Sequence, residues 1–93
     1  MDRTAAGVAR LRQDVEAIAR PGGRVVGSEG NARARAFLVR RMAEVGLEPL
    51  SPSGYELSWT PAGHRVEHAN LVGRIAGSDS SLAPLMVTAH HDT

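Results

Sequence analysis

The residues whose types and spacing best fit chemistry in this 93-residue chain are His90, His91 and Asp92. Side chains two positions apart on an extended segment point to the same side, so we expect His90 and Asp92 to lie together and His91 to point away. An imidazole that binds a metal through one nitrogen usually donates its other N–H to a carboxylate. The spacing suits a metal-binding histidine with a carboxylate partner, but taken alone it favours a solvated or capping pair, which many proteins contain by chance.

The segment that must position this cluster is the apolar run at residues 85–87, which follows Pro84. Consecutive aliphatic side chains of this kind predict a strand that is buried on both faces of a sheet. The polar cluster would then lie at the carboxyl end of that strand. Ligands of open α/β sheets bind at this edge, so the position also favours a functional site.

Two earlier stretches have the three-and-four spacing of apolar residues that predicts an amphipathic helix. The first extends from about residue 4 to residue 19 and ends at Pro21, because proline cannot continue a helix. Its apolar stripe consists of Val8, Leu11, Val15 and Ile18.

The second helix follows the loop GSEGN at residues 27–31 and ends at Gly46, a suitable C′ residue. Ser28 or Asn31 is the candidate N-cap. The loop lacks the lysine and the glycine spacing of phosphate-binding turns, and Glu29 would repel an anion, so we predict a capping loop. The predicted buried residues are Ala34, Leu38, Met42 and Val45, with Phe37 beside them, and those predicted to face water are Arg33, Arg40, Arg41 and Glu44.

An antiparallel hairpin is predicted over residues 55–75, with its turn at residues 61–63. Tyr55, Leu57 and Trp59 alternate with polar residues, as in a half-buried strand, and residues 65–75 return as the second strand. His64 and His68 would form a metal-binding pair on a helix. Here they fall at the turn and in a strand, so we assign them no role.

Composition limits the possible partners. Eleven arginines and ten carboxylates leave a formal charge of +1, which gives no basic surface for nucleic acid or membrane. The absence of cysteine excludes disulfides and thiolate metal sites, so a metal would need His, Asp or Glu ligands. The sequence contains neither a secretory signal nor an apolar run of membrane-spanning length, and we therefore predict a cytoplasmic protein.

The order of four motifs resembles that of the zinc aminopeptidases of metallopeptidase family twenty-eight. These motifs are RVVGSEGN at 24–31, AEVGLEPL at 43–50, NLVGRIAG at 70–77 and PLMVTAHHDT at 84–93. The resemblance implies an α/β fold, the zinc-dependent exopeptidase sandwich, and places two helices, an antiparallel hairpin and a buried strand in this portion. Residues 1–93 would be a single partial domain, the N-terminal third of the catalytic domain.

The resemblance also implies hydrolysis of N-terminal peptide bonds in a peptide substrate, with two zinc ions as cofactors. His90 would be a zinc ligand, and Asp92 the catalytic-site residue that orients it. The other ligands and the general base would follow Thr93, so we expect this chain to be an inactive fragment with at most a partial zinc site. We also expect strand edges that are exposed to self-association.

Two other functions remain open. The metal-dependent amidohydrolases and dipeptidases of family twenty also place His-x-Asp after a strand, so a fragment of such an enzyme is one alternative. A non-enzymatic binding or assembly module is the other.

Overall fold

The structure is a computed structural model that describes residues 3–19 and 22–93. This part of the chain contains two helices and four short strands: α1 Arg3–Ile18, α2 Glu29–Glu44, β1 Glu48–Pro49, β2 Glu56–Trp59, β3 His68–Leu71 and β4 Gly73–Arg74. The strands form two antiparallel sheets of two strands each, β1 with β4 and β2 with β3. The predicted α/β class is therefore confirmed at this level, whereas the relation to an exopeptidase sandwich stays a prediction.

Helix α1 forms where the periodicity predicts it, but its apolar stripe is not buried. Val8, Leu11 and Val15 are 55% to 64% exposed, and ion pairs join α1 to α2. There the Arg41 Nε lies 3.2 Å from the Asp14 Oδ1. The predicted stop at Pro21 lies outside the described residues. Neither helix has the length and apolar character that a membrane span requires within the described ranges.

Helix α2 is capped by local hydrogen bonds at both ends. Ser28 is the N-cap, and its side-chain oxygen accepts from the Asn31 N–H at 3.2 Å. At the other end Gly46 has a φ of 81°, which a residue without a Cβ adopts without strain, and its N–H donates to the Ala43 carbonyl. Ser28 is thus confirmed over Asn31 as the cap. Asn31 lies inside the helix and is one of its two buried residues, with Ala34.

The prediction that Arg41 faces water is wrong. Its side chain is only 18% exposed, because the guanidinium bridges Asp14 of α1 and Glu44 of α2. The hydrogen bond with Glu44, helped by Asp14, raises the pKa of Arg41. Val45, predicted to be buried, is also exposed.

The predicted hairpin is confirmed, with Glu56 opposite Leu71 and Trp59 opposite His68. Its second strand is shorter than predicted, because the pairing with β2 ends at Leu71 and β4 then pairs with β1 instead. One side chain joins the hairpin to α2: the guanidinium of Arg35 lies 3.5 Å from the Glu56 carboxylate and 3.7 Å from that of Glu67.

The predicted buried strand at residues 85–87 is wrong. Residues 83–93 have no regular secondary structure, and Leu85, Met86 and Val87 are 83% to 91% exposed. A strand that is apolar on both faces needs neighbouring strands and covering layers. Nothing in the described part of the chain supplies either of them, so the apolar pattern is present without the burial that it predicts.

Candidate functional site

His90 and Asp92 lie together, as their spacing predicts. The His90 Nδ1 is 3.0 Å from the Asp92 Oδ1, and we call this pair the dyad. The hydrogen bond from His90 is the main cause that lowers the pKa of the Asp92 carboxyl group, with smaller contributions from the charges of His90 and His91. An ionised carboxylate can only accept hydrogen bonds, so the proton of a neutral His90 belongs on Nδ1.

The second nitrogen of this ring, Nε2, then has a free lone pair. The His90 side chain is 93% exposed and that of Asp92 is 39% exposed, so the ring is open to a ligand from solvent. A neutral imidazole held in this tautomer by a carboxylate has the form that binds metal ions in proteins. The dyad can therefore act as one metal ligand with its orienting partner.

Arg24 holds the segment that contains the dyad, by hydrogen bonds across 67 and 69 positions of sequence. Its backbone N–H donates to the Thr93 Oγ1 at 2.8 Å, and its carbonyl accepts from the Thr93 N–H at 3.2 Å. Its Nε donates to the His91 carbonyl at 2.9 Å. The two ends of the 91–93 segment are thus fixed to the loop before α2, and the dyad lies on a supported backbone.

The support continues into α2 through Asn31. Its Nδ2 donates to the Arg24 carbonyl at 3.2 Å, which explains why this polar residue is buried. Sequence reasoning missed both Arg24 and Asn31 as site-supporting residues. Asn31 stands in the GSEGN motif and was visible only as a candidate cap, whereas the contacts of Arg24 are with residues too distant in sequence to be inferred.

A cleft of about 410 Å³ lies beside the dyad. One wall is the hairpin, with Trp59, His68 and Asn70, and the other is the segment 88–92. Trp59 and His68 pack with ring centroids 5.6 Å apart. His68 is therefore a packed strand residue, and the ring centroid of His64 lies 6.2 Å from that of His68, with the two ring planes at a right angle.

His91 also lines the cleft and is bound through its backbone carbonyl. The side to which its ring points stays a prediction. In the described ranges, 3–19 and 22–93, no three His, Asp or Glu side chains are grouped so that they could hold a metal ion.

Comparison with known protein families, with curated proteins and with solved structures finds no match for this chain. The resemblance to zinc aminopeptidases therefore stays a prediction from the order of the sequence motifs.

Proposed function

We propose that this chain supplies one part of the metal centre of a zinc-dependent aminopeptidase, an enzyme that hydrolyses N-terminal peptide bonds. The observation that supports the proposal is the 3.0 Å hydrogen bond between the His90 Nδ1 and the Asp92 Oδ1, which leaves the exposed Nε2 free to bind zinc. The order of the four sequence motifs points to the same class of enzyme.

Each residue of the dyad has a defined task in this proposal. His90 binds zinc through Nε2, and Asp92 keeps the proton on Nδ1 and fixes the orientation of the ring. Arg24 and Thr93 hold the backbone that presents both side chains. Zinc in such a centre lowers the pKa of a bound water and polarises the substrate carbonyl. The adjacent cleft offers an aromatic wall, Trp59 and His68, to a peptide side chain.

The number of ligands limits what the 93 residues do alone. A catalytic zinc ion takes three protein ligands and keeps one position open. The described residues supply one histidine with one orienting carboxylate, so we expect weak zinc binding and no turnover by this chain without further ligands. Hydrolysis of leucine anilide by the purified chain, lost on His90→Ala, would contradict this limit.

The zinc half of the proposal is tested by titration with zinc while the imidazole resonances of all four histidines are followed by NMR. We expect His90 to respond at the lowest zinc concentration, and His64, an exposed histidine for which no carboxylate partner is described, to serve as the internal control. Asp92→Asn should weaken the His90 response about 10-fold to 100-fold. A titration in which His64 and His90 respond together, or in which Asp92→Asn has no effect, would remove the basis of the proposal.

The same dyad would also serve a metal-dependent amidohydrolase or dipeptidase of family twenty, the second candidate among enzymes. Separately, the exposed apolar segment at residues 85–87 favours a role in assembly, which does not depend on zinc.

A further inference from the structure

We propose that residues 83–89, here called the exposed tail, are an interaction surface for a second copy of this chain. The two tails pair as antiparallel strands about a two-fold axis at Met86. The inference is independent of zinc binding, because it uses the backbone and the apolar side chains that precede the dyad.

The chain exposes more surface than a compact monomer of its mass. A compact monomer of 9.9 kDa exposes roughly 5,200 Å². This chain exposes 7485 Å², so about 2,300 Å² more remains in water. Its radius of gyration is 15.4 Å, against about 12 Å for a compact domain of this length. A stable interface removes about 800 Å² from each partner, so the excess is sufficient for one.

The exposed tail contains the most exposed large apolar side chains of the described residues. Leu85, Met86 and Val87 are each more than four-fifths exposed, and Leu82 beside them is 70% exposed. Within the described ranges, the backbone of residues 83–90 makes no hydrogen bond. Free backbone donors and acceptors next to aliphatic side chains are the features that another strand satisfies.

The charge distribution of the tail suits pairing with a second copy of the same chain. No Arg, Asp or Glu occurs from Ser80 to His91, the longest such interval in the sequence. Two tails can therefore approach without like-charge repulsion, and the segment has the low charge and aliphatic character of self-pairing strands. Hydrogen bonds between Arg24 and Thr93 fix the segment that follows the tail, which limits the motion of the tail and reduces the entropy lost on pairing.

The register follows from Pro84, which has no N–H to donate. If Met86 pairs with Met86 of the second copy at a non-hydrogen-bonded position, Leu85 and Val87 form the hydrogen-bonded pairs. Pro84 then faces Thr88 at another non-hydrogen-bonded position, where its missing donor has no consequence. The residues beyond the paired strands stay unpaired, so the dyad, which follows the tail, remains accessible in the dimer.

Cysteine cross-linking tests this register, since the native chain has no cysteine. In Met86→Cys the two Cα atoms should be about 4.5 Å apart, within the range of a disulfide. In the matched control Val87→Cys they should be about 8 Å apart, which is too far. We expect a covalent dimer from Met86→Cys under mild oxidation and none from Val87→Cys. Equal cross-linking of both variants, or of neither, would overturn the proposal.

Sedimentation velocity provides the second measurement. The unmodified chain should dimerise at micromolar to tens of micromolar concentration, and Met86→Lys should weaken the dimer roughly tenfold or more, because it sets like charges opposite each other. Met86 is exposed in the single chain, so this substitution leaves the helices and the hairpin intact, as circular dichroism should verify. An unmodified chain that is still monomeric at about 100 μM, above the whole range of dissociation constants expected here, would refute the proposal.

Discussion

Substitution of Gly30 should loosen the support of the dyad and destabilise the whole chain. A Cβ added at Gly30 would lie 1.9 Å from the carbonyl oxygen of Gly23 and 3.1 Å from its carbonyl carbon. Both contacts are with backbone, which no side-chain rotation can relieve. The loop at residue 23 must therefore move by roughly 1 Å or more to restore an ordinary contact distance.

The loss in the free energy of unfolding of Gly30→Ala follows from the contacts that this movement disturbs. Overpacking of this kind costs about 1–3 kcal/mol. The movement also strains the hydrogen bonds between Arg24 and Thr93, each of which contributes about 1 kcal/mol. Alanine has a higher helix propensity than glycine, and this difference offsets about 1 kcal/mol of the loss. We expect a net loss of about 2 kcal/mol in the free energy of unfolding, or roughly 10 °C in Tm for a chain of this length.

Gly7→Ala is the matched control, because Gly7 lies in α1 with nothing within 4 Å of its added Cβ. This variant should gain about 0.5–1 kcal/mol from helix propensity alone. Thermal and urea unfolding, followed by circular dichroism, measure both variants. If Gly30→Ala is as stable as Gly7→Ala, the close approach of α2 to the Gly23 loop is refuted, and with it the support that we assign to Arg24.

Three further predictions concern the cap, the buried amide and the dyad. Ser28→Ala should lower the free energy of unfolding by about 1 kcal/mol in urea titrations, because the Asn31 N–H loses its acceptor. Asn31→Ala should cost about 1 kcal/mol in the same assay and should speed hydrogen exchange at the Thr93 amide, since the Arg24 carbonyl loses one donor. The contact with His90 lowers the pKa of Asp92 in the folded chain. It therefore stabilises the fold fully at pH values above about 3.9, the ordinary pKa of Asp, and this stabilisation is lost as the pH falls through the lowered pKa. Carboxyl NMR should show Asp92 titrating below a free aspartate, and titration at or above 3.9 would contradict the dyad.

Features set by neighbouring residues could be predicted from the sequence. The 3.6-residue periodicity, the Ser28 cap and the C′ glycine at Gly46 define α2 within a few residues. Alternation of apolar and polar residues around Trp59 likewise predicts the hairpin. The dyad also follows from spacing alone, because residues two apart on an extended chain share a side.

Features set by distant residues could not be predicted. The aliphatic run at residues 85–87 indicates burial, but burial depends on the elements that cover it, and none of the described elements does so. Arg41 carries the same charge as the exposed Arg40, and its ion pair with Asp14 on the other helix, which the spacing in α2 does not reveal, accompanies its partial burial. The contacts of Arg24 with Thr93 join residues 69 positions apart, a separation at which sequence patterns give no information.

The central claim is that the Asp92 carboxylate accepts a hydrogen bond from Nδ1 of His90 and leaves Nε2 to bind zinc. The most direct measurement is a long-range ¹H–¹⁵N spectrum of the imidazole rings at neutral pH, recorded with and without zinc. We expect the proton of neutral His90 on Nδ1 and a zinc-induced shift of its Nε2 resonance, and Asp92→Asn should weaken this zinc response about 10-fold to 100-fold. A proton on Nε2 of His90, or a zinc response confined to the other histidines, would contradict it.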